Sequence, residues 1–173
     1  MAISLYDASA ALFIQTLGAV DGFLRFSQKH FQEKGGDLAE VVETRLFSDM
    51  LPFRYQIQAA IGHSVGAIEG VKGGEFKPPY GNPASDYAAL QTEVADALAK
   101  LKSYTPAEID ALQGKDVVFN LGDRKMPFVG ENFLLTFSLP NFHFHCTTAY
   151  DILRQKGVPL GKRNYVGMPK VKA

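Results

Sequence analysis

The side chains with the clearest chemical pattern lie between Leu134 and Ile152. Leu134, Phe137, Asn141, His145, Thr148 and Ile152 follow one another at spacings of three, four, four, three and four, the period of one helix face. The ends of this stripe are apolar, and its middle is a carboxamide, an imidazole and a hydroxyl. A face packed into a core holds three polar groups only when they are hydrogen-bonded, because each buried unpaired one costs about 1–3 kcal/mol. Such a face either satisfies itself or lines a cavity between helices, where bundle proteins place ligand and metal sites. Pro140 favours the cavity, since its missing N–H frees the Thr136 carbonyl. An earlier segment offers a matching line. Gln56, Ala60, His63 and Ala67 share a face at spacings of four, three and four, and alanines beside two polar groups leave room for a guest. Gln56, His63, Asn141, His145 and Thr148 are therefore the candidate pocket for a small polar molecule. A satisfied core or surface histidine is the ordinary alternative for His63.

Other reactive groups carry less. His143 lies about 200° around the helix from His145 at ~100° per residue, so the two cannot share a site and His143 is expected to be exposed. His30 reads as a helix C-terminal residue facing the dipole. The single cysteine, Cys146, excludes an internal disulfide or a cysteine metal cage. It adjoins His145, but helix neighbours point ~100° apart, and a buried structural thiol is the expected state. Asp49 and Arg54 are placed for a local solvated ion pair. There is no G-x-S-x-G, phosphate loop or H-E-x-x-H.

These groups need helices to hold them. Ser4 reads as the N-cap of a long helix whose stripe is Tyr6, Ala10, Phe13, Leu17, Val20, Leu24, Ser27 and Phe31, ended by Gly35-Gly36. A short helical piece over 38–47 follows. The second main helix spans 53–69, with Pro52 in its first turn, Asp49 as cap, and Ile57, Ile61, Ser64, Val65 and Ile68 inward. Gly70, Gly73, Gly74, Pro78, Pro79, Gly81 and Pro83 predict a long loop. Ser85 opens the third helix, with Tyr87, Leu90, Val94, Leu98 and Leu101 on one face. Thr105-Pro-Ala-Glu108 is a capping box for a short helix. Alternation over 117–129 around Gly122-Asp123 predicts a small hairpin. The last helix runs from about Gly130 to Gln155, kinked or split near Leu139 by Pro140. The fold class is an all-α bundle with short extra helices and a hairpin.

Composition is compatible with this. The 173 residues suit one domain over 1–173, and 46% apolar content excludes a disordered chain. No apolar run approaches the ~18–20 residues of a membrane span. The beginning lacks the basic-then-apolar pattern of a signal peptide, so a cytoplasmic location is expected. The balance of 18 basic against 18 acidic residues hides an asymmetry. From Arg154 onward there are six basic residues and no acid, so the 153–173 stretch reads as a basic extension of an acidic body. Its dispersed charges predict a tail lying against that body, not a nucleic-acid surface.

The run Leu139-Pro-Asn-Phe-His-Phe-His-Cys-Thr-Thr-Ala-Tyr-Asp-Ile-Leu-Arg-Gln-Lys-Gly-Val-Pro resembles a bacterial family of unknown function grouped with the DinB/YfiT-like metalloenzymes. Ser4-Leu-Tyr-Asp-Ala-Ser, Asp49-Met-Leu-Pro-Phe and Gly157-Val-Pro-Leu-Gly-Lys-Arg extend the resemblance over nearly the whole chain. It implies an up-down-down-up four-helix bundle and a homodimer. The wider superfamily holds a divalent metal through three histidines, one on the second main helix and two spaced H-x-x-x-H on the last. By that resemblance His145 matches the second of the pair, Asn141 stands where the first would be, and Gln56 replaces the histidine of the second helix. Carboxamides are weak ligands for zinc or nickel but good hydrogen-bond partners. His63 lies two turns beyond Gln56, ~10 Å by axial rise, which argues against its standing in. Any metal would then rest on His145 with Gln56 and Asn141.

Three functions follow. The first, favoured by these residues, is a bundle with an incomplete metal triad that binds a small polar molecule in its inter-helix pocket. The second is a divalent-metal-dependent thiol transferase or hydrolase, using zinc or nickel with His145 as a ligand. The third is a structural or stress-associated homodimer whose buried polar groups only specify helix register. No nucleic-acid or membrane partner is expected in any of them.

Overall fold

In a computed structural model that describes residues 3–78 and 85–172, the Ser4 hydroxyl accepts the Asp7 N–H at 3.1 Å and starts α1, Leu5–Ala8. Ser9 interrupts the expected single helix, and α2 then runs over Ala10–Lys34. Ala10, Phe13, Leu17, Val20, Leu24, Ser27 and Phe31 are all buried, as their period requires. Gly35 ends the helix at φ 76°, a left-handed cap that favours glycine. Helix α3, Leu38–Glu43, is shorter than the 38–47 expectation because the chain becomes extended at Thr44. Asp49 does not cap the next helix. Pro52 itself occupies that position, with no side-chain hydrogen bond. Arg54 pairs with Glu43 at 2.7 Å instead of with Asp49.

The second long run is α4, Phe53–Ile61, a π-helical turn over Gly62–Gly66, and α5, Ala67–Gly73. The π turn widens the helix and shifts its inward face. Ala60, His63, Ser64, Ala67 and Ile68 are buried, while Ile61 and Val65 of the expected stripe are only half-buried. The loop expected from Gly70 starts later, because α5 continues through Gly73, Gly74 ends it at φ 79°, and a strand, β1, Glu75–Phe76, follows. Pro79, Gly81 and Pro83 lie outside the described residues.

Helix α6, Tyr87–Ser103, is capped by Asp86, which accepts the Ala89 N–H at 2.8 Å. Ser85, the expected cap, instead joins Glu93 at 2.7 Å and accepts from Gln58 at 3.0 Å. The capping box at Thr105 and Glu108 forms and opens α7, Pro106–Asp110. Strands β2, Asp116–Leu121, and β3, Arg124–Val129, make the antiparallel hairpin, with Gly122 at φ 60°. That hairpin is part of a three-stranded sheet, because β1 pairs parallel to β2 through Glu75↔Val118 and Phe76↔Phe119.

The last long run is α8, Gly130–Asn132, a second π turn over Phe133–Ser138, and α9, Leu139–Gln155. Pro140 falls in the first turn of α9, and the π turn before it takes up the disturbance without a break. A final helix, α10, Lys162–Val166, lies on α2. Val158 and Leu160 of the basic stretch are buried in the same core that contains Leu5 and Phe13. Lys156 meets Glu40 at 2.6 Å and Lys170 meets Asp7 at 3.7 Å, so the tail rests on the acidic body. His143 is half-buried, not exposed, because Tyr165 of α10 covers it with its hydroxyl 3.3 Å from Nδ1. The chain is mostly helical around one contiguous apolar core.

Gly130 marks how closely the elements meet. A Cβ there would collide with the Leu112 carbonyl oxygen and stand 2.8 Å from a Val71 methyl. Gly130→Ala is therefore expected to lower the unfolding free energy by about 1–3 kcal/mol in urea titrations. Gly22→Ala, on an exposed helix face with nothing within 4 Å, should instead raise it by up to about 1 kcal/mol.

Candidate functional site

The two π turns approach one another across the core. His63 belongs to the first and Phe137 to the second, and their rings lie 5.8 Å apart. Single π turns inside α-helices recur at functional sites.

Gln56, buried on α4, donates from Nε2 to the Leu51 carbonyl at 2.8 Å. That bond fixes the orientation of the carboxamide, so Oε1 faces His145 Nδ1, also at 2.8 Å. A carboxamide oxygen only accepts, so Nδ1 carries the imidazole proton and Nε2 carries the lone pair. His63 lies nearly parallel to His145, with centroids 5.8 Å apart and an interplanar angle of 13°. It is only 6% exposed, and its Nδ1 has no hydrogen-bond partner among the described residues. Phe144 and Tyr55 stand edge-on to His145 at 5.2 and 6.0 Å, and Phe76 closes on His63 at 5.3 Å. Burial pushes both imidazoles down to about 4, and for His63 the neighbouring His145 adds to the effect. Both are neutral at pH 7. The arrangement offers an oriented hydrogen-bond acceptor at Nε2, set among aromatic rings.

Three of the five expected residues, Gln56, His63 and His145, come together. Asn141 and Thr148 do not join them. Asn141 Nδ2 donates to the Phe137 carbonyl at 2.7 Å and Thr148 Oγ1 to the Phe144 carbonyl at 2.8 Å, each four residues back on its own helix. His63 stacks on His145 although it lies two turns beyond Gln56, because backbone rise does not measure where two long side chains meet. Tyr55, Phe76, Phe144 and the Leu51 carbonyl were not legible as site groups. Tyr55 beside Gln56 and Phe144 beside His145 were the available signals. A cleft of about 410 Å³ lined by Gly62, Gly66, Gly70, Glu75 and Lys77 reaches Phe76, the ring that packs on His63.

A three-ligand metal centre does not fit these groups. Among the described residues no three His, Cys, Asp or Glu side chains are grouped to hold an ion. Of Gln56, Asn141 and His145, only His145 keeps a free nitrogen lone pair, at Nε2, while Gln56 is held between the Leu51 carbonyl and His145 and the Asn141 amide donates to its own helix. Cys146 is fully buried and burial pushes its thiol up, away from the thiolate a nucleophile needs.

Comparison with known proteins shows the family and the fold. The model of a family described as a domain of unknown function (DUF1993) matches residues 5–166. A crystal structure of a DinB family member protein from Shewanella denitrificans is similar to this chain with a TM-score of 0.81 at 24% identity, covering 98% of this chain and 95% of that one. That likeness concerns the fold. No curated protein matches. No helix among the described residues is long and apolar enough to cross a membrane.

Two outcomes follow from the geometry. Long-range proton–nitrogen spectra at pH 7 should show His145 protonated at Nδ1, and Gln56→Leu should remove that preference. The histidines also set an acid limit. Their folded values lie below the ordinary 6.5, so the unfolded chain takes up protons that the folded chain refuses. Their contribution is complete above about pH 6.5 and is lost as pH falls toward about 4, with half-buried His143 acting in the same direction. Urea midpoints measured from pH 7.5 to 4.5 should fall, and fall less in His145→Phe.

Proposed function

The chain belongs to the DUF1993 family, and from that premise we propose that it is a DinB-like four-helix bundle protein that binds a small polar molecule at Gln56, His63 and His145. Helix directions support the bundle. Phe13 meets Phe142 and Phe23 meets Tyr150, so α2 and α9 run the same way. Tyr87 bonds the Leu24 carbonyl while Gly18 faces Leu98, so α6 runs against α2. Phe53 stacks on Tyr87 and Glu69 pairs with Lys100, so the second run follows α6. Gln56 meets His145 and His63 meets Phe137, so it opposes α9. These directions support the up-down-down-up order. We read the chain as one domain, since Val158 and Leu160 share the core.

The observation that carries the binding reading is the relay from the Leu51 carbonyl through Gln56 to His145. Each bond fixes the polarity of the next, and its end is a lone pair on a half-buried imidazole. Aligning three groups in this way is more than core satisfaction requires, since Asn141 and Thr148 satisfy themselves locally. Such an atom accepts a hydrogen bond from a guest hydroxyl or N–H.

Thermal-shift screening of tag-free protein against uncharged metabolites, with metal analysis of the same sample, tests this reading. A stabilising compound should bind roughly tenfold more weakly to His145→Phe, the loss of about one hydrogen bond, and unchanged to Asn141→Ala. Stoichiometric zinc, nickel or iron that disappears in His145→Ala would overturn it in favour of a metalloenzyme. A folded, stabilised Gln56→Leu/His63→Leu/His145→Leu variant, with no compound bound by the parent, would instead indicate a network that only sets helix register.

A further inference from the structure

Resting on that binding reading, we infer that the guest is an uncharged aromatic hydroxyl compound, a phenol-type ring whose hydroxyl sits at the two imidazoles while its plane covers the neighbouring aromatic side chains.

The polar half follows from counting donors and acceptors. The N–H groups of Gln56 and His145 that the relay uses both point inward, one to Leu51 and one to Gln56. What His145 presents outward is an acceptor. His63 is a neutral imidazole with one N–H and one lone pair, and its buried Nδ1 is unpartnered among the described residues. A carboxylate or phosphate needs several donors or a cation. The causes that lower the two histidines are burial and, for His63 alone, the neighbouring His145, with no carboxylate or ammonium among them. A hydroxyl both donates and accepts, so it can give its proton to His145 Nε2 and take a hydrogen bond from His63.

The apolar half follows from the rings. Phe144 is 55% exposed although it stands 5.2 Å from His145. Tyr55 and Phe137 are half-buried beside the same two imidazoles. Leu51, whose carbonyl anchors the relay, is 47% exposed. An acceptor bordered by uncovered aromatic surface suits a molecule with a planar apolar body and a polar edge. A phenolic O–H lies in its ring plane, so the ring can cover Phe144 or Tyr55 while the hydroxyl reaches inward.

Phenol, toluene and benzoate titrated into the full chain at pH 7.5, followed by proton–nitrogen NMR, separate these elements. Phenol should shift the Gln56 side-chain and His145 signals saturably. Toluene should bind about tenfold more weakly for lack of the hydrogen bond, and benzoate should not bind. His145→Phe should abolish the advantage of phenol over toluene, and Asn141→Ala should retain it. Equal binding of phenol and toluene, tighter binding of benzoate, or unchanged phenol binding by His145→Phe overturns the inference. So does a dimer, dispersed by Phe144→Ser, whose formation leaves no access for phenol. A non-aromatic polar compound that binds through His145 when phenol does not would remove the aromatic class and leave the binding reading standing. If no compound of any class perturbs Gln56 or His145, the binding reading itself falls.

Discussion

The hydrogen bond between Gln56 and His145 joins the second helical run to the last one, and the groups around it are arranged by that contact. It is short enough, at 2.8 Å, to demand a defined carboxamide orientation and a defined tautomer. The orientation comes from the Leu51 carbonyl, at the turn that precedes α4. Backbone geometry at the start of one helix thereby decides which nitrogen of an imidazole on another helix is free. Burial completes the effect by keeping the imidazole neutral, so the free nitrogen remains an acceptor.

The small sheet and the π turns serve that contact. Strand β1 brings Phe76 against His63, and Phe119 on β2 stacks behind Phe76 at 6.2 Å and meets Phe137 at 4.9 Å. His63 is thus backed by rings from two layers, which is why its burial is nearly complete. Gly70 permits this approach, since a Cβ there would lie 2.9 Å from the Phe76 Cβ and 3.2 Å from the Glu75 carbonyl oxygen. The π turns bring a histidine and a phenylalanine together on facing helices without breaking either rod. The basic end has a separate role. It lies on α2 through the Val166 carbonyl, which accepts from Gln15, and on α9 through Tyr165, and its lysines at 156 and 170 meet acids of the body. Exposed pairs of that kind contribute at most about 1 kcal/mol each, so apolar burial accounts for most of the tail's attachment.

Much of the fold was legible because helix period and helix punctuation are local. The α2 stripe, the Gly35 stop, the Thr105 capping box and the turn at Gly122 each depend on residues within a few positions. Errors fell where local signals compete. Ser85 and Asp86 both suit a cap, and Ser85 was drawn away by Glu93 and Gln58. Arg54 had Asp49 nearby in sequence and Glu43 nearer in space. Strand β1 is two residues long and pairs with a segment some forty positions later, so no periodicity could reveal it.

For the site, residue types and helical spacing alone determined that Gln56, His63 and His145 belong to inward faces of two helices. They could not separate these three from Asn141 and Thr148, because the period places all five alike. Tertiary structure made the separation. A side chain on a helix can bond its own backbone one turn back or reach a neighbouring helix, and the choice depends on what stands opposite. Asn141 and Thr148 took the local carbonyl. His145 found Gln56 at hydrogen-bond distance and His63 stacked beside it, where two antiparallel helices and a π turn bring together positions far apart in the chain.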